Sequence, residues 1–215
     1  MSKPRCQVSI DLETLGTSPD SVILSIGAAA VCAETGQIVK FYGACAVDSQ
    51  QHRTISKSTL DWWDSQSAEA RVALDFARSD DCPSLQSTLK TLTDWLAKLG
   101  ETHDVYVWGN GSDFDIAMLN HAYKQISDFV PWNFRSSRDM RTLRDICLRL
   151  GLEPKIKAAV SRNGTHHNAL DDAEYQAGII MESLRQIDLA AEFLRGPAKD
   201  EWQAFLARST EAACD

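Results

Sequence analysis

The stretch Val8-Ser9-Ile10-Asp11-Leu12-Glu13-Thr14-Leu15-Gly16-Thr17 constrains this chain more than any other. Val8, Ile10 and Leu12 alternate with Ser9, Asp11 and Glu13, and the side chains of an extended strand alternate between its two faces. One face of this strand is therefore apolar, and the other carries two neighbouring carboxylates. Such like charges repel, and the repulsion is relieved by open solvent, by protonation of one group or by a bound cation. Asp-x-Glu is a common pattern, so a solvated strand end satisfies it as well as a metal site does. The choice between the two rests on residues far downstream.

Beyond Gly16 to Asp20, which supplies turn chemistry, Val22 to Cys32 is apolar with small residues. The turn Glu34-Thr35-Gly36 leads to Gln37–Val47 as a returning strand, so the opening predicts a three-stranded meander. Ser56 to Ala77 takes a helical pattern, capped at Ser56 or Ser58. Leu85, Leu89, Leu92, Leu96 and Leu99 mark an amphipathic helix from Ser84 ended by Gly100. Asp104 to Gly109 reads as a short strand, followed by a helix from about Phe114 to Lys124 with Asp113 as its cap. A helix near Met140 to Leu150, a loop from Glu153 to Gly164, and a helix capped by Asn168 with Asp171 in a box-like arrangement complete the pattern. One or two helical pieces are expected between Leu189 and Leu206. Strand-then-helix alternation after a meander predicts an α/β fold with a mixed sheet.

The 215 residues, 44% apolar, suit a single domain, 1–215, with a full core. The short polar start Met1-Ser2-Lys3-Pro4-Arg5 and the lack of any long apolar run predict a soluble, cytoplasmic protein without a membrane partner. Six scattered cysteines form no C-x-x-C pair, which favours free thiols over a zinc site or a disulfide scaffold. A net charge of −8 argues against strong nucleic-acid binding, yet Arg135 to Arg162 holds eight basic residues against three acidic ones. That segment is either a solvated helix face or a phosphate-binding patch.

Three places collect chemistry: Asp11 and Glu13 on the first strand, Asp115 at a helix start, and His167 with Asp172 around the start of the last long helix. Asp115 alone has an ordinary reading, stabilisation by free backbone amides at a helix N-terminus. The pair Trp62-Trp63 points about 100° apart on a helix. Both can pack, or one can enter the core while the other stacks on a nucleic-acid base. Four carboxylates and a neutral imidazole match what phosphodiester hydrolysis with two hard divalent ions requires. Carboxylate oxygens suit Mg²⁺ or Mn²⁺, and a histidine near neutral pKa can deprotonate a water.

Ser9-Ile10-Asp11-Leu12-Glu13-Thr14, Asn110-Gly111-Ser112-Asp113-Phe114-Asp115 and His167-Asn168-Ala169-Leu170-Asp171-Asp172 together resemble the three motifs of the DEDDh 3′-5′ exonucleases of the ribonuclease H-like superfamily. His166 and Asp171 share the spacing of His167 and Asp172, but only His167 has the family's alanine two positions on. The resemblance implies a ribonuclease H-like sheet and two Mg²⁺ or Mn²⁺ ions held by Asp11, Glu13, Asp115 and Asp172, with His167 as general base. It also implies a single-stranded 3′ end as substrate and nucleoside 5′-monophosphates as products. Asn110-Gly111-Ser112-Asp113 departs from the more usual histidine-containing start of its motif, which leaves Asp113 a weaker candidate ligand. Thr59 to Gln66 and Asp139-Met140-Arg141-Thr142-Leu143 are similar to a phage and bacterial branch that includes a mycobacterial exoribonuclease. That similarity implies Thr14, Leu15, Trp62 or Trp63, and Phe114 near the terminal nucleotide, and Asp139 as a helper behind the site. The branch contains dimers, so the resemblance extends to a homodimer. Two other readings stay open: a nucleic-acid-binding module without chemistry, and a hydrolase of dinucleotides or other short oligonucleotides.

Overall fold

In the computed structural model, which describes residues 3–32, 35–127, 129–196 and 201, the acidic stretch forms the second half of strand β1 (Arg5–Thr14). Strands β2 (Ile23–Cys32) and β3 (Ile38–Ala44) follow as the expected meander, each antiparallel to the one before. Helices α1 (Lys57–Asp64), α2 (Ala68–Ala77) and α3 (Leu85–Thr102) come next, then β4 (Asp104–Gly109) and α4 (Asp115–Ile126). The short β5 (Ser137–Asp139), α5 (Met140–Arg149), α6 (Glu153–Ala159) and α7 (Ala169–Arg195) complete the strands and α-helices named among the described residues. β4 runs parallel beside β1, and β5 parallel beside β4, which gives the order β3-β2-β1-β4-β5 with β1 at the centre. The architecture is the mixed α/β sheet that the sequence pattern predicts.

The two faces of β1 are buried for different reasons. Cys6, Val8, Ile10 and Leu12 pack against Leu85, Leu89, Leu92 and Leu96 of α3 and Met118 and Leu119 of α4. Truncating one buried leucine of such a stripe costs about 2–5 kcal/mol, so this face anchors the sheet. The polar face is not open to water, because α7 lies across β1 and β2. Ser9 and Glu13 are only 1% and 6% exposed.

Gly27, the β2 partner of Asp11, makes that close approach possible. A Cβ at Gly27 would stand 2.1 Å from both the carbonyl carbon and the carbonyl oxygen of Ala169, the first residue of α7. Only glycine lets the first turn of α7 rest on the backbone of β2. Ala29, Ala173 and Ala177 continue the seam with small side chains.

Several local expectations are corrected. The helical pattern from Ser56 to Ala77 breaks in two, because the Ser67 side chain accepts the Ala70 amide and caps a fresh start. Gly100 does not end α3, which runs on to Thr102. The expected loop from Glu153 contains α6. Its Pro154 falls in the first turn, where a missing N–H goes unused, and Ile156 is buried. β5, three residues long, is too short to show alternation. Asp113 does not cap α4, whose N-cap residue is Phe114 without a side-chain bond. Asn168 does cap α7, accepting from the amides of Leu170 and Asp171. Asp171 forms no capping box, since its carboxylate accepts the Thr165 amide instead, at 2.7 Å.

α7 continues unbroken through Leu189 to Arg195. The remainder of the expected tail helices, together with Cys214 and Glu34 of the first turn, lies outside the described residues. Cys6, Cys32, Cys45, Cys82 and Cys147 are free and buried. Among the described residues no helix is long and apolar enough to cross a membrane.

Candidate active site

β1 and β4 are parallel, so their carboxyl ends open on the same edge of the sheet, and the N-terminus of α7 arrives at that edge over Gly27. This placement brings together side chains from opposite ends of the chain. Asp11, Glu13 and Asp172 offer carboxylate oxygens that all lie within 4.8 Å of one another. They line a cleft of about 550 Å³ together with Thr14, Trp62, Phe114, His166 and His167.

Asp115 sits beside this trio but is differently used. One oxygen accepts the Leu12 amide at 3.2 Å and the other the Asn110 amide at 2.8 Å, so the carboxylate ties β1 to the turn after β4. It is 1% exposed. The ordinary reading of a helix-start aspartate and the site reading are thus both partly met: Asp115 serves backbone amides, while its charge bears on Asp11 more than that of any other neighbour.

The cluster is electrostatically unfavourable as it stands. Burial, then the charges of Asp115, Glu13 and Asp172, push the Asp11 carboxyl well above the usual carboxylate range. Burial and the charges of Asp172 and Asp115 raise Glu13 to about 8. Burial raises Asp115 to about 6 against the pull of its amide donors. Crowded acids whose charged forms are penalised are what bound cations relieve. An all-oxygen donor set this tight fits hard divalent ions. The trio, with Asp115 adjoining, passes that test of fit.

His167 enters with a left-handed backbone (φ 64°), which turns the chain sharply into α7. Its amide donates to Asp172 Oδ2 at 3.0 Å, and its ring meets Trp62 edge-on with centroids 4.8 Å apart. Partial burial and the neighbouring His166 hold the imidazole below the usual histidine pKa, which favours its neutral form. His166 also borders the cleft, its ring 4.2 Å from that of His167. Asp171, by contrast, is taken up by the Thr165 amide.

The two tryptophans divide as their angular separation allows. Trp63 is buried and donates its indole N–H to the Thr14 carbonyl at 2.9 Å, whereas Trp62 is 39% exposed at the cleft. One sequence expectation is corrected. Leu15 lies inside the small core with Val22, Leu24 and Trp63, and does not line the cleft. Asp139, expected as a helper behind the site, caps α5, its oxygens accepting from the Arg141 and Thr142 amides and the Thr142 hydroxyl.

Sequence reasoning missed Gln176, whose Nε2 donates to Asp11 at 2.6 Å while its Oε1 accepts from Ser9 at 3.3 Å. It lies four residues after Asp172, one helical turn along the same face, which is the signal that could have found it. Arg162 and Arg144 of the basic segment also line the cleft.

Residues 6–184 match the family model described as the 3'-5' exoribonuclease Rv2179c-like domain. Among solved structures, the nuclease domain of 3'hExo, a DEDDh family member bound to rAMP, is similar with a TM-score of 0.60 at 18% identity, over 85% of this chain and 93% of that one. Cell-death related nuclease 4 (CRN-4) gives a TM-score of 0.61 at 14% identity, over 86% of this chain and 65% of that chain. A full-length 3'-exonuclease gives 0.59 at 15%, over 86% and 63%. No curated protein matches by sequence.

Proposed function

From the premise that this chain belongs to the Rv2179c-like family of 3'-5' exoribonuclease domains, and so is a nuclease, we propose that it shortens single-stranded nucleic acid, RNA foremost, from the 3′ end. Residues 1–215 act as one catalytic unit and release nucleoside 5′-monophosphates. The observation that carries this reading is the trio Asp11, Glu13 and Asp172 within 4.8 Å of one another in a cleft also lined by the exposed Trp62 and by His167. The rAMP held by the 3'hExo nuclease domain supports the monophosphate product.

Asp11, Glu13 and Asp172, with Asp115 adjoining, would hold two Mg²⁺ or Mn²⁺ ions, which supply Lewis-acid stabilisation of the charge on the phosphoryl and leaving oxygens. The chain's own groups do the rest. Trp62 and Phe114 receive the terminal nucleotide by stacking, which reads no particular base. Thr14 borders the same end of the cleft. His167 takes the proton from a water as it adds to the last phosphodiester phosphorus. The bond from phosphorus to the penultimate 3′ oxygen breaks, and that oxygen takes a proton from solvent to become the strand's new 3′-hydroxyl, with a 5′-phosphate on the released nucleoside. Gln176 holds Asp11 in place through its 2.6 Å hydrogen bond.

Digestion of matched 3′-labelled and 5′-labelled RNA and DNA strands with Mn²⁺ tests this. The expected result is immediate release of labelled mononucleotide from the 3′-labelled RNA and a descending ladder from the 5′-labelled strand. Mononucleotide released first from the 5′ label, or no release from any strand, overturns it. Running a dinucleotide beside a strand of roughly twenty nucleotides separates this reading from that of a short-oligonucleotide hydrolase.

Gly27→Ala is a second test, remote from the reacting atoms. The added carbon collides with the Ala169 backbone, so α7 has to lift, carrying Asp172 and His167 with it. Overpacking of this kind costs about 1–3 kcal/mol, and a displacement near 1 Å lowers turnover by about a hundredfold. Urea midpoints and kcat read the two effects. Unchanged turnover would show that the seat of α7 on β2 does not set the site.

A further inference from the structure

Asp172 is the one acid of the cluster that already has a cationic partner among the described residues. Arg162 Nη1 pairs with Asp172 Oδ1, while the other Asp172 oxygen takes the His167 amide. The guanidinium carbon lies 4.3 Å from the centroid of the Tyr175 ring, so the head group is also stacked against the cleft wall. Arg162, Tyr175 and Asp172 all line the cleft. The Arg162 side chain is 30% exposed and that of Asp172 only 9%.

The backbone around Arg162 explains how the guanidinium can have two addresses. Ser161 to Gly164 is exposed irregular chain between α6 and α7. Beyond it the segment is pinned where Asp171 accepts the Thr165 amide, next to Gly164 with φ +84°. Arg162 therefore stands just outside a fixed point, on a long side chain braced by Tyr175.

A divalent ion drawing on Asp172 Oδ1 competes with the guanidinium for the same lone pairs. Once displaced, a planar guanidinium beside the cleft has the donor fork that matches a phosphate in two parallel hydrogen bonds. Building on the exonuclease reading above, we propose that Arg162 is a substrate-binding residue that exchanges Asp172 for a non-bridging oxygen of the substrate phosphate. Paired with Asp172, it is the counter-ion of the unloaded site. Released, it is the clamp on the strand.

Calorimetric titration of the metal-free full chain with Mn²⁺ alone, followed by steady-state kinetics on a 3′-labelled RNA strand, tests the exchange in wild type, R162Q and R162K. R162Q is expected to bind Mn²⁺ roughly tenfold more tightly, because a charge-assisted hydrogen bond no longer has to be given up. The same variant is expected to raise KM for the strand by about tenfold or more at saturating Mn²⁺. R162K, which keeps the charge without the fork, recovers part of both effects. Unchanged or weaker Mn²⁺ binding by R162Q overturns the proposal, as does an unchanged KM. A wild type that binds Mn²⁺ and shortens the strand, matched in both by R162Q, removes the role of Arg162 alone. A wild type that does neither removes the exonuclease reading and this proposal with it.

Discussion

Glu13→Gln is expected to lower kcat on an RNA strand by about a thousandfold or more while making the metal-free protein more stable, not less. The loss follows from the several kcal/mol of transition-state charge stabilisation that a hard ion supplies, at about 1.4 kcal/mol per factor of ten. An amide there offers one neutral oxygen where a carboxylate offers charge. The gain in stability follows from the carboxyl itself. Burial and two acidic neighbours raise Glu13 from an ordinary 4.5 to about 8. A carboxyl whose folded pKa lies above its unfolded one contributes fully below the unfolded value, and that contribution is lost as pH rises through the folded value. Metal-free wild type therefore weakens between about pH 4.5 and pH 8, by up to a few kcal/mol, and Asp11 pulls in the same direction. Glu13→Gln flattens part of that slope. Melting temperatures across pH 5 to 8, with and without Mn²⁺, read it directly: wild type gains most from Mn²⁺ at the alkaline end, and the variant gains less. A wild-type melting temperature that climbs with pH in the absence of metal would contradict the crowded-acid account of the site.

His167→Ala is expected to leave Mn²⁺-dependent stabilisation in place and to lower kcat by roughly 100- to 10,000-fold, the range for a lost general base. KM should change little, since Trp62 and Phe114 remain to receive the terminal nucleotide. Two facts about the residue make the separation clean. Its amide, which the substitution keeps, is what holds Asp172 Oδ2. Its ring rests on Trp62 and His166 rather than in the core, so few core contacts are lost. Should the Mn²⁺ shift in melting temperature vanish in the variant, His167 would be a ligand, the role that its proximity to His166 and Asp172 also permits. Should turnover persist, proton removal belongs elsewhere in the cleft.

The parts of the fold written in side-chain periodicity were legible without coordinates. The alternation in β1, the leucine stripe of α3 and the Asn168 cap of α7 each express a local rule, and each stands where that rule puts it. Asp11, Glu13 and Asp172 were legible as a set because the carboxyl end of a central strand and the N-terminus of a helix crossing it meet in space. What stayed hidden depends on contacts between distant segments. The family resemblance places Leu15 near the terminal nucleotide, yet the apolar cluster of Val22, Leu24 and Trp63 draws it inward. Gln176 carries only the signal of its helical spacing from Asp172, and Arg162 only that of a basic segment; the acids each one touches appear in the folded chain alone.

The seat of α7 on Gly27 has one more consequence. Most neighbouring elements in a protein interior meet through interdigitated side chains, so the spacing between them is set by the volumes of those side chains. Where the helix that bears Asp172 crosses β2, beside the strand that bears Asp11, there is no such layer at the point of contact, only main chain on main chain. The height of Asp172 above the sheet is thereby set by backbone contact rather than by the volume of any side chain, and it holds for as long as α7 stays seated on β2.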